Sequence, residues 1–106
     1  AVLAFDDLTA LGMVRGLSGA GVRIPEDCSV VGFDDVLPAA VSTPGITTVH
    51  QPLKEMGLLA SEWTLQAITA REQQKQKPVQ LHNASPELIV RMSTARVPAA
   101  QRKTRS

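Results

Sequence analysis

The chain opens on a continuous apolar run, Ala1-Val2-Leu3-Ala4-Phe5, that stops at an acidic doublet, Asp6-Asp7. A short uninterrupted run of this kind predicts a strand covered on both faces. Apolar residues then return at helical spacing. Ala10, Met13, Val14, Leu17 and Ala20 share a broad face, with Leu8, Leu11, Arg15 and Ser18 beside it. Asp6 or Asp7 can cap this helix, because a short acceptor side chain satisfies the free N–H groups of a first turn. Gly19 and Gly21 end it, and Ile24-Pro25-Glu26-Asp27 turns the chain into a second run, Ser29–Phe33. That run stops at a second doublet, Asp34-Asp35.

Beyond the second doublet, Pro38 and Pro44 punctuate a loop with room for one helical turn around Val36–Val41. Ile46-Thr47-Thr48-Val49 is β-branched throughout and predicts a third strand. Pro52 suits the first turn of a helix, where its missing N–H has no partner to lose. Leu53, Met56, Ala60, Trp63 and Ala67 then recur at steps of three and four, widened by Leu59 and Ile68. This is the strongest helical pattern in the chain. It fades into the polar run Arg71–Lys77, read as a solvated helix end and linker, which Pro78 stops. A short strand is expected at Val79–His82 and another at Glu87–Ser93, and residues 98–106 read as a disordered tail. No segment repeats.

The two doublets define the candidate chemistry. Strand, helix and strand form a βαβ unit whose right-handed crossover makes the strands parallel and sets both doublets on one edge. Ligands of open α/β sheets bind outside the carboxyl ends of the strands. Asp6 and Asp34 follow their strands directly and are the residues assigned to a ligand, since a carboxylate can accept two hydrogen bonds from adjacent hydroxyls of a sugar. Asp7 and Asp35 are read as helix caps and turn formers. Trp63 could stack on a sugar ring, but its place in the apolar stripe reads as core. The links His50-Gln51-Pro52 and Ala84-Ser85-Pro86 could carry the chain out of one lobe and back, with Gln51 facing a cleft.

Composition narrows the remaining classes. The chain has 106 residues, 43% of them hydrophobic and 20% charged, with a net charge of +1. This is a globular balance that gives no electrostatic reason to bind nucleic acid or a membrane surface. No apolar run approaches the ~20 residues of a membrane span. The lone Cys28 excludes an internal disulfide, reads as a small buried hydrophobe and fits the cytoplasm. The paired carboxylates suggest Mg²⁺, yet no phosphate-cradling loop with a lysine accompanies them and no lysine precedes Lys54. His50 and His82 are too few and too scattered for zinc, and Ser29 lacks a nucleophile's surroundings. Neither an enzyme nor a cofactor or metal is expected. The tail bases Arg96, Arg102, Lys103 and Arg105 read as a solvated terminus. A core strand at Ala1 with only one obvious partner suggests the C-terminal piece of a longer protein, one that would fold poorly alone.

Five ordered segments carry a resemblance. They are Phe5–Gly12, Gly21–Asp27, Ser29–Asp35, Pro44–Pro52 and Pro86–Thr94. Together they resemble the lactose-repressor family of bacterial transcription regulators, from Ala1 to about Val97. The resemblance implies an α/β fragment of a two-lobed periplasmic-binding-protein-like fold, with parallel sheets flanked by helices. Residues 1–49 and 86–97 would belong to the C-terminal lobe and residues 50–85 to the N-terminal lobe, with a sugar or similar small effector held between them. Asp34 matches the family's effector-contacting Asp. Asp6 stands where the family usually has Asn, and Gln51 and Leu53 match cleft-lining positions. Leu11, Val41 and Ser42 match parts of a homodimer interface. Because ionised Asp only accepts hydrogen bonds, Asp6 favours an effector rich in donors and disfavours an acidic one. The family binds operator DNA through an N-terminal helix-turn-helix that this sequence does not contain. Two other readings stand beside a repressor's sensor: a periplasmic sugar-binding protein feeding a transporter, and a truncated remnant without function.

Overall fold

The computed structural model describes residues 1–76 and 78–99. The first apolar run forms β1 (Val2–Leu3), and the helix after it is α1 (Asp7–Gly19). The second run forms β2 (Val30–Val31), followed by the one-turn helix α2 (Leu37–Val41). Then come β3 (Thr48–His50), the long helix α3 (Leu53–Glu72) and β4 (Glu87–Ile89). The chain divides into two units, Ala1–His50 with the chain from Glu87 onward, and Gln51–Pro86.

In the first unit β1 and β2 pair in parallel, Val2 beside Val30 and Leu3 beside Val31. Parallel bridges at Val31–Thr47 and Asp34–His50 tie β2 to the third strand. β4 runs antiparallel to β3, Thr48 beside Ile89 and His50 beside Glu87. The result is a mixed sheet, parallel over its first three strands, with α1 as the crossover. The parallel βαβ arrangement and the flanking helices are those expected from the pattern of apolar runs. α1 buries Ala10 and Val14 and sets Leu11, Met13 and Leu17 against Ala4, Val30, Ala39 and Ile46. The small residues Ala10 and Ala39 let α1 and α2 approach the sheet closely.

Ser93 pins the sheet where regular pairing stops. Its hydroxyl donates to the Val30 carbonyl (2.6 Å) and accepts from the Thr47 N–H (2.8 Å), while its carbonyl accepts from the Val30 N–H (2.9 Å). Ser93→Ala would orphan one buried carbonyl and one buried N–H. At roughly 1–3 kcal/mol for each, the loss is about 2–6 kcal/mol. Urea denaturation of this variant should show that fall, and a change below about 1 kcal/mol would contradict the role.

Several elements differ from the sequence reading. The strand expected at Val79–His82 is absent: Val79 and Leu81 lie exposed, and the second unit offers no described strand to pair with. The strand expected over Glu87–Ser93 stops at Ile89, because Met92 and Ser93 bond instead to the Gly45 carbonyl. Trp63 is half-buried rather than core. α3 keeps Leu53, Met56, Leu58, Leu65 and Ile68 exposed and buries only Ala70. From residue 100 on, the tail expected to be disordered lies outside the described residues.

Candidate functional site

Three parallel strand ends bring Asp6, Asp34-Asp35 and His50 to one edge of the first unit. Within the first doublet it is Asp6, not Asp7, that caps the helix, and Asp7 is buried inside the unit. Asp6 is the N-cap of α1, in extended conformation, and its Oδ1 accepts the Thr9 N–H at 2.7 Å. That bond holds its carboxyl below the usual range. Asp7 is no cap: it is 1% exposed, inside the unit. Its Oδ1 accepts the Thr48 hydroxyl (2.6 Å) and its Oδ2 the Val36 N–H (2.8 Å). Its own N–H donates to the Phe33 carbonyl at 3.0 Å. Asp7 therefore ties together β1, the loop after β2, and β3. Gly32 makes room for it, since a Cβ there would lie 2.2 Å from Asp7 Oδ1.

The second doublet departs from ordinary backbone geometry. Asp34 has φ +106° and Asp35 φ +59°. Two consecutive side-chain-bearing residues in the left-handed half of conformational space cost of order 1–3 kcal/mol each and persist only where their surroundings fix them. Asp34 is half-buried, and its N–H donates to the Val49 carbonyl at 3.0 Å. The Asp35 carboxyl receives Arg91 Nη2 at 2.5 Å on one oxygen and faces His50 Nδ1 at 3.0 Å on the other. Arg91 is itself fixed, with Nη1 on the Ile46 carbonyl (3.0 Å) and its N–H on the Thr47 hydroxyl (2.9 Å). So Asp35, read from sequence as a turn former, also forms a charged clasp.

The clasp makes stability depend on acid. Chiefly the Arg91 hydrogen bond, then His50, hold the Asp35 carboxyl below its usual range against the opposing effect of burial. The unfolded chain then takes up this proton first as pH falls, near the ordinary Asp value of about 3.9. The contribution is complete above that pH and disappears as pH falls through the lower folded value. Asp27, brought to about 2 by the bidentate grip of Arg23, acts in the same direction but is exposed and screened. The urea midpoint should decline below about pH 4, and Asp35→Asn should flatten that decline; an unchanged slope in the variant would contradict the clasp.

The other residues expected at the site are placed less informatively. Gln51 and Leu53 belong to the second unit, Gln51 half-buried at its start and Leu53 exposed on the first turn of α3. Of the residues expected at an interface, Leu11 gives part of its surface to the core, and Val41 is exposed at the end of α2. Ser42 turns its hydroxyl back onto the Ala39 and Pro44 carbonyls. An open groove of about 580 Å³ along the end of α3, lined by Leu65, Thr69 and Gln73 among others, includes none of the expected residues. Among the described residues no three His, Cys, Asp or Glu side chains converge as a metal site would require, and no helix is long and apolar enough to cross a membrane. Arg91, Thr48 and Gly32, which shape the edge, carried no signal of that role in the sequence beyond their place in the ordered segments.

Comparison with known proteins fits this architecture. A family described as the periplasmic binding protein-like domain matches residues 1–94. The HTH-type transcriptional repressor PurR of Vibrio vulnificus (strain CMCP6) is 39% identical over 97 residues, covering 92% of this chain and 28% of the repressor. The chain thus spans less than a third of that relative. A solved complex of the transcriptional regulator CelR with cellobiose superposes with a TM-score of 0.77 at 37% identity, over 87% of this chain and 27% of CelR. A LacI family transcriptional regulator from Enterococcus faecium with bound ribose gives a TM-score of 0.73 at 33% identity, over 92% of this chain and 35% of the regulator.

Proposed function

Since this chain belongs to the periplasmic binding protein-like domain family, we propose that it is part of the effector-sensing domain of a cytoplasmic LacI-type transcriptional repressor, with a sugar or similar polyhydroxylated metabolite as effector. One observation carries the reading. Asp34 is held at φ +106° on the carboxyl edge of a parallel sheet, beside Asp6, in a fold shared with regulators solved with cellobiose and ribose. Strained non-glycine backbone at the ligand edge of an α/β sheet is a mark of function, because selection for stability alone would relax it.

The chemistry follows from the groups present. Two carboxyl groups on one edge accept hydrogen bonds from effector hydroxyls, and burial against such donors costs them least. Gln51 and Leu53 are assigned to effector contact, and Leu11, Val41 and Ser42 to a homodimer face, by resemblance alone. Operator DNA would be bound by a further domain that this sequence does not contain.

Calorimetric titration of the protein with ribose, glucose and cellobiose tests the effector class. Saturable binding of at least one, with an acidic sugar phosphate binding more weakly, is the expected result. Asp6→Asn isolates the charge, since Asn caps a helix as well as Asp does. It should narrow the gap between sugar and sugar phosphate at only a small cost in stability, that of losing a negative charge at the helix N-terminus. Failure of all three sugars, with the phosphate bound tightly, would overturn the reading.

A further inference from the structure

The Asp34 turn is held from both sides by groups that do not belong to it. On the β1 side, the Asp7 carboxylate accepts the Val36 N–H and the Asp7 backbone N–H donates to the Phe33 carbonyl, so the residues before Asp34 and after Asp35 are both fixed by one buried residue. On the β3 and β4 side, Arg91 and His50 grip the Asp35 carboxyl, one oxygen each. The Asp35 side chain is 17% exposed, that of Arg91 20% and that of His50 47%. The arginine pair is thus the sheltered half of the grip. Arg91 reaches it from a backbone fixed by the Thr47 hydroxyl and with its second nitrogen on the Ile46 carbonyl, a forked geometry that lysine cannot reproduce.

Resting on the reading of Asp34 as an effector contact, we propose that Arg91 and His50, acting through Asp35, are positioning residues that hold Asp34 in its left-handed conformation ready for the effector. A free Asp34-Asp35 pair would relax to φ below zero and carry the Asp34 Cα–Cβ bond away from its present direction. The clasp opposes that relaxation, so part of the ordering cost is met before the effector arrives. Asp34 would supply the contact, and Asp35 would supply its aim. The doublet thus divides into a residue for the ligand and a residue for the protein.

Two readouts test this. In amide hydrogen exchange without ligand, Arg91→Met should speed exchange of the Asp34 N–H at least tenfold, while the Val2 and Ala4 N–H groups between β1 and β2 keep their protection. Arg91→Lys, which keeps the charge, should fall between, and Asp35→Asn should match Arg91→Met. Unchanged Asp34 exchange, or equal acceleration of all three amides, would overturn the proposal, the second because it marks a general loss of stability. In titrations with ribose and with cellobiose, Arg91→Met and Asp35→Asn should each weaken binding about tenfold, but cause no further loss in an Asp34→Asn background. Additive losses would also overturn it. Normal affinity in Asp34→Asn alone would remove the effector role of Asp34, and exchange would still report whether the clasp holds the turn.

Discussion

Gly32→Ala should cost the first unit about 3–5 kcal/mol, although it adds a single methyl group to a strand end. The new Cβ would stand 2.2 Å from Asp7 Oδ1 and 3.1 Å from Asp7 Cα. A long surface side chain would swing aside, but Asp7 cannot do so freely. Its carboxyl is the only described partner of the buried Thr48 hydroxyl, and it also holds the Val36 N–H. Moving it orphans both groups, and keeping it in place drives the β2 backbone away from β1. Against a typical domain stability of roughly 5–15 kcal/mol, either outcome is severe. The cause can be isolated with a second variant. Asp7→Ala should cost a similar amount by leaving the same two groups unpaired, and Asp7→Ala/Gly32→Ala should cost no more than Asp7→Ala alone. Denaturation midpoints of the three proteins decide this; fully additive losses would show that Gly32 is needed for something other than Asp7.

The second large effect separates stability from binding. Asp34→Gly should leave stability unchanged or raise it by up to about 1–2 kcal/mol, because glycine adopts φ +106° without strain, offset by its greater freedom in the unfolded chain. The same substitution should weaken sugar binding by about 10²–10⁴-fold. That range corresponds to losing two hydrogen bonds to a charged acceptor at roughly 1.5–3 kcal/mol each. A residue kept for packing would show the opposite pattern, losing stability and leaving binding alone. Thermal denaturation and calorimetric titration with ribose and cellobiose on one preparation read both quantities.

Much of this organisation was legible in the chain because it is local. The apolar runs that end at Asp6 and Asp34 are short and uninterrupted, and the helix between them shows its apolar spacing over several turns. With the handedness of βαβ crossovers, that was enough to set both doublets on one edge. Roles within a doublet were not legible. Asp6 and Asp7 are chemically identical, and which one caps the helix depends on how the strand enters it. The buried role of Asp7 needs Thr48, far along the chain, and the clasp on Asp35 needs Arg91, farther still. Val79–His82 shows the opposite failure. Its apolar residues resemble a strand, but a strand exists only with a partner, and the second unit supplies none among the described residues. α3 carried the clearest helical stripe, yet most of that stripe remains exposed, since periodicity predicts which face would be buried and not what buries it.

The central claim is that the edge bearing Asp6 and Asp34 receives a polyhydroxylated effector. The most direct measurement is an amide-resolved NMR titration of the protein with cellobiose and, separately, with ribose. The account predicts saturable shifts for at least one sugar at the backbone amides of residues 6–7 and 34–35, weakened in Asp34→Asn. Absence of binding by both sugars, or shifts confined to α3 with residues 6–7 and 34–35 unmoved, would contradict it.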